Sequence, residues 1–381
     1  MDPIIVVGSG LAGYSVLREL RRRARERPAL MVTADAGDYY SKPSLSNALA
    51  QGHGAADLVL NTAAQMGAAT GARILVDTPV LAIDPARHRI RTSGEELRYS
   101  SLVLALGAAS RRPELAGDGA DDVLCVNNLR DYARFREALH SARKVVLLGG
   151  GLIGCEFAND LAVAGVTVDV VEPAPCVLSR FLPAQAAAAM QRRLEAVGVR
   201  WHLRVSAQRV DRVGRKYELT LDDGSILQGD LVLAAIGLAP QTALARSAGL
   251  AVNRGVVVDR YLATSAPDVH ALGDCAEVEG LLLPFTSPIS HAARALGATL
   301  GGKPTKVMYP AMPVSVKTPS WPTVVAPAPL GTEGSWECAA CADGMRSLMR
   351  DDSGGLVGFA LHGAAIEEAA LLARELPALL A

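Results

Sequence analysis

The chain has 381 residues, half of them hydrophobic, and a formal net charge of −1. That length suits two or three domains with sizeable cores, and the balanced charge argues against a general polyanion binder. Only 4% of residues are aromatic, too few to suggest a base-stacking surface, so no nucleic-acid partner is expected.

The opening apolar run Ile4–Val7 is too short for a signal peptide, and no eighteen apolar residues follow one another without a charge. Cys125, Cys155, Cys176, Cys275, Cys338 and Cys341 are scattered. They read as reduced thiols, so the expectation is a cytoplasmic protein with no membrane span and no disulfide framework.

The first predicted element is a strand over Ile4–Val7, followed at once by Gly8-Ser9-Gly10-Leu11-Ala12-Gly13 and a helical stretch to about Arg27. Gly8 permits the tight turn, Gly10 lets the backbone approach a pyrophosphate, and Gly13 lets the helix pack closely on the strand. The helix start offers free N–H groups and a partial positive charge to phosphates. A second strand, Leu30–Thr33, leads through Ala34 to Asp35, 22 residues beyond Gly13, where a carboxylate can accept hydrogen bonds from an adenosine ribose. Strand, glycine turn, helix and acid together meet the context test for a dinucleotide fingerprint. The arginines at 21, 22, 23, 25 and 27 read as the solvated face of the first helix.

The same unit returns further on. Lys144–Leu148 is the strand, Gly149, Gly151 and Gly154 are the glycines around Ile153, and a helix to about Ala164 precedes a strand that ends at Glu172. Two such units imply two dinucleotides facing one another, and the usual chemistry of that pair is hydride transfer from nicotinamide to flavin. The apolar runs ending at Gly107 and Gly237 read as buried parallel strands. In Val269–Ala276 a strand runs into Gly273-Asp274, which places a carboxylate at a helix start.

In their order along residues 3 to about 300, these pieces resemble the flavoproteins with two dinucleotide-binding domains. Tyr40-Ser41-Lys42-Pro43-Ser44-Leu45-Ser46 is similar to a segment of the ferredoxin-reductase-like branch. The lysine before proline, the short chain and the runs Leu152–Asp160 and Ala271–Glu277 resemble bacterial rubredoxin reductases more closely still. The resemblance implies an FAD-dependent NADH oxidoreductase that reduces rubredoxin or a similar small iron protein, of the kind serving alkane hydroxylation. The flavorubredoxin reductases of nitric oxide detoxification share most of these features. Position by position, it implies that Gly8, Ser9, Gly10, Leu11, Ala12 and Gly13 hold the FAD pyrophosphate and that Thr33, Ala34 and Asp35 lie near the adenosine. Val80 would meet the adenine, Ala105, Gly107 and Pro288 would line the FAD, and Asp274 would take the ribitol. Lys42, Pro43, Glu156 and Lys317 would approach the flavin ring, with Lys42, Glu156 and Lys317 the candidate catalytic residues. NADH would lie on Gly149, Gly151, Ile153, Gly154 and Glu172. Lys42 in place of the branch's commoner arginine, and Asn47 where lysine is frequent, both count against a ferredoxin partner.

The expected fold is α/β: two doubly wound dinucleotide-binding domains and a small C-terminal α/β domain. The FAD domain takes residues 1–113 and 246–306, the NADH domain 114–245 and the C-terminal domain 307–381, with a last helix over Ile366–Leu380. Cys338-Ala339-Ala340-Cys341 falls in a predicted loop. A working dithiol must lie against the flavin, and such pairs belong to earlier regions of the chain, so this pair is expected to be incidental. No second pair completes a zinc site, and no metal is expected. The rival readings are an NADH oxidase or disulfide-type reductase and a non-enzymatic nucleotide sensor.

Overall fold

The computed structural model describes residues 2–329 and 331–381. Strands of near-continuous apolar character pair in parallel, because both faces of such a strand are covered. The first sheet runs in the order Val269–Ala271, Ser101–Leu104, Ile4–Val7, Ala29–Val32, Arg73–Leu75, all parallel. The second runs Val199–Leu203, Thr167–Glu172, Lys144–Leu148, Leu231–Ala234, again all parallel. Each is accompanied by a three-stranded antiparallel meander, Val80–Arg98 in one case and Ala207–Gly229 in the other. The repeat in sequence is therefore also a repeat in topology.

Between the two sheets the chain crosses twice. Ala108–Ser110 leads out of the first unit, Leu238–Pro240 leads back, and the two segments pair antiparallel. The last sheet is antiparallel, in the order Val314–Val316, Thr323–Ala326, Leu356–Gly363, Gly344–Arg350, Ser335–Cys341. One face of it shares a hydrophobic core with the second unit: Val316, Trp321, Val325 and Ala360 pack in the same cluster as Val145, Phe157 and Met190.

Four expectations need correction. The first helix ends at Arg23, not Arg27. Arg21 is not on a solvated face: its guanidinium gathers the carbonyls of Thr70, Arg25, Arg27 and Gly71, which ties down the chain leaving the helix. The last helix shrinks to a 3₁₀ turn Ala364–Glu368 and a short helix Ala369–Leu372. Beyond it Leu380 exchanges both backbone hydrogen bonds with Tyr309, which demands an extended chain that Pro377 also favours. Cys338 and Cys341 lie on a strand, not in a loop, because Ser335–Cys341 forms a hairpin with Gly344–Arg350 through a two-residue turn. Residues three apart on a strand point to opposite faces, so these two thiols cannot pair with each other here.

Among the described residues no helix is long and apolar enough to cross a membrane. No group of three or more metal-ligating side chains converges among them.

Candidate active site

The first glycine turn is built so that only glycine fits. Gly8 has φ +111°, and a Cβ there would lie 2.3 Å from the carbonyl oxygen of Ala105. A Cβ on Gly13 would lie 2.0 Å from the carbonyl oxygen of Gly8. Gly10 between them faces open space, with nothing within 4 Å of its missing Cβ. The helix Leu11–Arg23 starts there without a side-chain cap, which leaves its first N–H groups for an anion.

Asp35 sits at the mouth of this turn. Its Oδ1 accepts from Ser9 Oγ and Thr33 Oγ1 at 2.7 Å each and from the Gly37 N–H at 3.0 Å. Its Oδ2 has no partner among the described residues, so the carboxylate is anchored by one oxygen and offers the other. The segment before Val80 runs beside it, with Asp77 and Thr78 donating backbone N–H groups to Asp35 and Thr33. From the other side, Gly273 at φ +77° brings the Gly273-Asp274 turn over Ala12, whose side chain a Cβ on Gly273 would meet at 2.9 Å. Ile289, next to Pro288 at the uncapped start of the helix Thr286–Leu300, closes on the same glycine. Gly107 has φ +68° and open space beside it. Shape, free N–H groups and the free carboxylate oxygen all fit a dinucleotide with the extended pyrophosphate of FAD.

The second turn repeats the geometry. Gly149 has φ +105° with Ala235 O at 2.7 Å from its missing Cβ, Gly154 closes to 2.0 Å on Gly149 O, and Gly151 faces open space. The helix Leu152–Val163 also lacks a side-chain cap. Glu172 differs from Asp35: Oε2 accepts from the Gly150 N–H at 2.5 Å and Oε1 from the Ala174 N–H at 2.8 Å. Both its oxygens brace the turn, and each retains a lone pair for a ribose hydroxyl.

Lys42, Pro43, Glu156 and Lys317 come together where the two units meet the last sheet. Glu156 is buried, accepts from Ser46 Oγ, and takes the Lys317 backbone N–H at 2.9 Å. Lys317 Nζ donates to Pro43 O at 3.0 Å, and Lys42 Nζ to Asn127 Oδ1 at 3.0 Å. Burial pushes the Glu156 carboxyl above its usual range, opposed by its bonds to Ser46 and Lys317. Burial also lowers both lysines, with Asp274 the main charge holding Lys42 up and Glu156 holding up Lys317. Asp274 is raised by burial and pulled back by Lys42. Two ammonium groups and a buried carboxyl at one junction can favour negative charge accumulating on a ligand between them.

Four further residues complete this junction without having been singled out from the sequence. Asp160 accepts the backbone N–H groups of Leu49 at 2.8 Å and Ala50 at 2.9 Å; Asn159 accepts that of Ser320 at 3.2 Å. Ser46 and Asn127 are the other two. The signal was present: Glu156, Asn159 and Asp160 are polar residues at i, i+3 and i+4 of an otherwise apolar helix, which puts them on one face. Among the described residues no cysteine thiol hydrogen-bonds a side chain of this centre. Cys155 and Cys275 are buried singly beneath the second and first turns, donating to Gly150 O and Leu104 O, and burial raises both thiols.

Two glycine-turned nucleotide units converging on a lysine-flanked junction define a flavoprotein that takes electrons from a nicotinamide. The chain belongs to the pyridine nucleotide-disulphide oxidoreductase family, which it matches over residues 2–298, and FAD and NAD(H) are its cofactors. Residues 306–376 match the rubredoxin binding C-terminal domain. The chain is 45% identical over 381 residues, all of both chains, to the rubredoxin-NAD(+) reductase of Alcanivorax borkumensis. It is 40% identical over 98% of its length to the nitric oxide reductase FlRd-NAD(+) reductase of Aeromonas hydrophila, of which it covers 96%. Among solved structures it resembles the covalent putidaredoxin reductase–putidaredoxin complex, with TM-score 0.89 and 26% identity over 99% of this chain and 94% of that one. The NADH:rubredoxin oxidoreductase of Clostridium acetobutylicum shares the fold, with TM-score 0.81 and 17% identity over 98% and 93% of the two chains.

Proposed function

We propose that this protein is a cytoplasmic NADH-dependent reductase that carries FAD and delivers electrons to rubredoxin. One observation carries the choice of acceptor. The sheet that matches a rubredoxin binding domain is the same sheet whose Lys317 loop reaches Pro43 and Glu156 at the junction. An acceptor seated on that sheet is therefore seated beside the site where electrons arrive. All six cysteines are free, which suits a reducing compartment.

FAD, when bound, supplies the hydride acceptor and the change from two-electron to one-electron transfer. The residues of this chain do the rest. Gly8, Gly10, Gly13 and the start of the Leu11–Arg23 helix bind one pyrophosphate, and Asp35 offers Oδ2 to the ribose. Gly149, Gly151, Gly154 and Glu172 do the same for NADH, with Ile153 in the first turn of the second helix. Lys42 and Lys317 place positive charge at the junction, and Glu156 fixes the Lys317 backbone relative to Ser46. The FAD unit is assigned residues 1–113 and 246–306, the NADH unit 114–245 and the acceptor-facing unit 307–381.

The test is NADH-driven reduction of rubredoxin by the pure yellow protein, with a flavorubredoxin domain and oxygen as rival acceptors. Rubredoxin should be reduced far faster than oxygen. Rapid oxygen consumption with slow rubredoxin reduction would replace this reading with an oxidase. The relatives at 40% identity make flavorubredoxin the one serious rival, and its faster reduction in the same assay would reassign the acceptor.

A further inference from the structure

We propose that Asn127 is a positioning residue for electron transfer: its side-chain amide fixes the Lys42 ammonium at the junction while leaving its positive charge uncancelled. The inference rests on the reading of the protein as an FAD-containing reductase and assigns a task to a residue outside the nucleotide motifs.

Asn127 lies in the segment entering the second unit, just before the helix Leu129–Leu139. Its Oδ1 accepts from Lys42 Nζ at 3.0 Å and its Nδ2 donates to Ala108 O at 2.8 Å. These partners settle which way the amide faces. An ammonium can only donate and a carbonyl oxygen can only accept, so a turned amide would lose both bonds. The backbone of Asn127 is held from behind, its N–H donating to Asp131 Oδ2 at 3.1 Å, while the Asp131 N–H donates to Asn128 Oδ1 at 2.8 Å. Ala108 follows Gly107 and pairs with Pro240 in the ladder between the two crossings. Asn127 thus ties Lys42 to the crossing strand Ala108–Ser110.

The chemistry of the partner matters as much as its place. Asp274, Asp131 and Asp35 act on Lys42 through charge, but none of them hydrogen-bonds it among the described residues. A carboxylate at position 127 would make a close ion pair and cancel the charge. An alanine would leave the ammonium unheld in a setting where burial disfavours it. A neutral amide gives direction and keeps the field that eases the arrival of electrons nearby.

The experiment compares the parent holoprotein with Asn127→Ala and Asn127→Asp in two measurements. The first is the rate at which an amine-directed reagent modifies Lys42 across a pH series, read by peptide mass mapping. Losing a hydrogen bond to the charged form frees the amine, so Asn127→Ala should be modified several-fold faster than the parent. Asn127→Asp should be modified more slowly. The second is the midpoint potential of the bound flavin, which should fall in Asn127→Asp, together with stopped-flow reduction by NADH. There Asn127→Ala should lose about tenfold in rate, the scale of one charge-assisted hydrogen bond, with little change in KM. If Asn127→Ala does not retain FAD, Asn127→Ser serves in its place, since it too removes the reach to Lys42. Equal labelling rates and equal potentials in all three proteins would overturn the proposal. A parent that NADH does not reduce would instead overturn the reductase reading, and the labelling order would still decide whether Asn127 holds Lys42.

Discussion

The helices Leu11–Arg23 and Leu152–Val163 start from the same glycine turn and are packed in opposite ways. The first is amphipathic: Tyr14, Val16, Leu17 and Leu20 are buried, while Arg22 and Arg23 face solvent and pair with Glu19. The second is buried without interruption from Gly154 to Leu161, and three of those residues are Glu156, Asn159 and Asp160. Their side chains accept from the Lys42–Ala50 segment on one side and the Lys317–Ser320 segment on the other. A shared local sequence sets the same turn twice. The surroundings decide whether the helix behind it is an outer support or the joint of the whole molecule. The two acids diverge likewise: Asp35 keeps one oxygen free, whereas Glu172 uses both to brace its turn.

The sharpest test of the pairing is alanine at the first glycine of each turn, where a Cβ would strike backbone at 2.3 Å for Gly8 and 2.7 Å for Gly149. Gly8→Ala should yield protein without flavin absorbance. Gly149→Ala should remain yellow but resist reduction by NADH, and loss of flavin from both would show that the units do not act separately. Next comes the joint itself. Asp160→Ala removes a buried carboxylate that accepts two part-buried N–H groups, those of Leu49 and Ala50, and should cost about 2 kcal/mol in denaturant unfolding. Arg22→Ala, on the outer support, should stay within about 0.5 kcal/mol. Equal losses would erase the contrast between the helices.

The acids give a smaller effect. NADPH would bring a phosphate towards Glu172, so NADH should be preferred in kcat/KM. Glu172→Gln should narrow that gap by about thirtyfold, roughly 2 kcal/mol, mainly through better use of NADPH. An unchanged ratio would leave Glu172 as a brace alone. Glu156 predicts a pH effect of definite sign. Its folded pKa lies above its unfolded value of about 4.3, so its contribution to stability is fully present below that value and fades as pH rises through the folded one. The pH dependence of Tm in the parent minus that in Glu156→Gln should therefore slope downward with rising pH. An upward slope would mean that the bonds to Ser46 and Lys317 outweigh burial. Smallest of all, replacing Cys338 and Cys341 together with serine should leave NADH-driven rubredoxin reduction nearly unchanged. Loss of turnover with FAD retained would revive dithiol chemistry.

Both glycine turns were legible in the sequence because the whole device is local: a strand, three glycines and a helix within 20 residues, Ile4 to Arg23 and Lys144 to Val163. The Gly273-Asp274 turn was readable for the same reason. The junction was only partly so. Lys42, Glu156 and Lys317 emerged through resemblance, whereas Asp160 and Asn127 act on residues more than 80 positions away or on a distant strand, and no periodicity encodes that. The last helix failed because an alanine- and leucine-rich run favours helix locally, while Leu380 gains a backbone partner in Tyr309 only when extended. The cysteine strand was missed because its hairpin turn is two residues long and carries its glycine at Gly344, where a Cβ would meet His362 O at 2.3 Å.

The paired crossings Ala108–Ser110 and Leu238–Pro240 have a consequence for how such a molecule can change. Everything between them leaves and re-enters the first unit at neighbouring points, on strands hydrogen-bonded to each other. A segment with adjoining ends can be exchanged for another of the same footprint at little cost in chain closure, because its ends need not be brought together anew. The segment proposed to bind NADH is thus a cassette, and a graft with altered coenzyme choice must preserve the two crossings, Asn127, the core shared with the last sheet and the face of the helix that carries Glu156, Asn159 and Asp160.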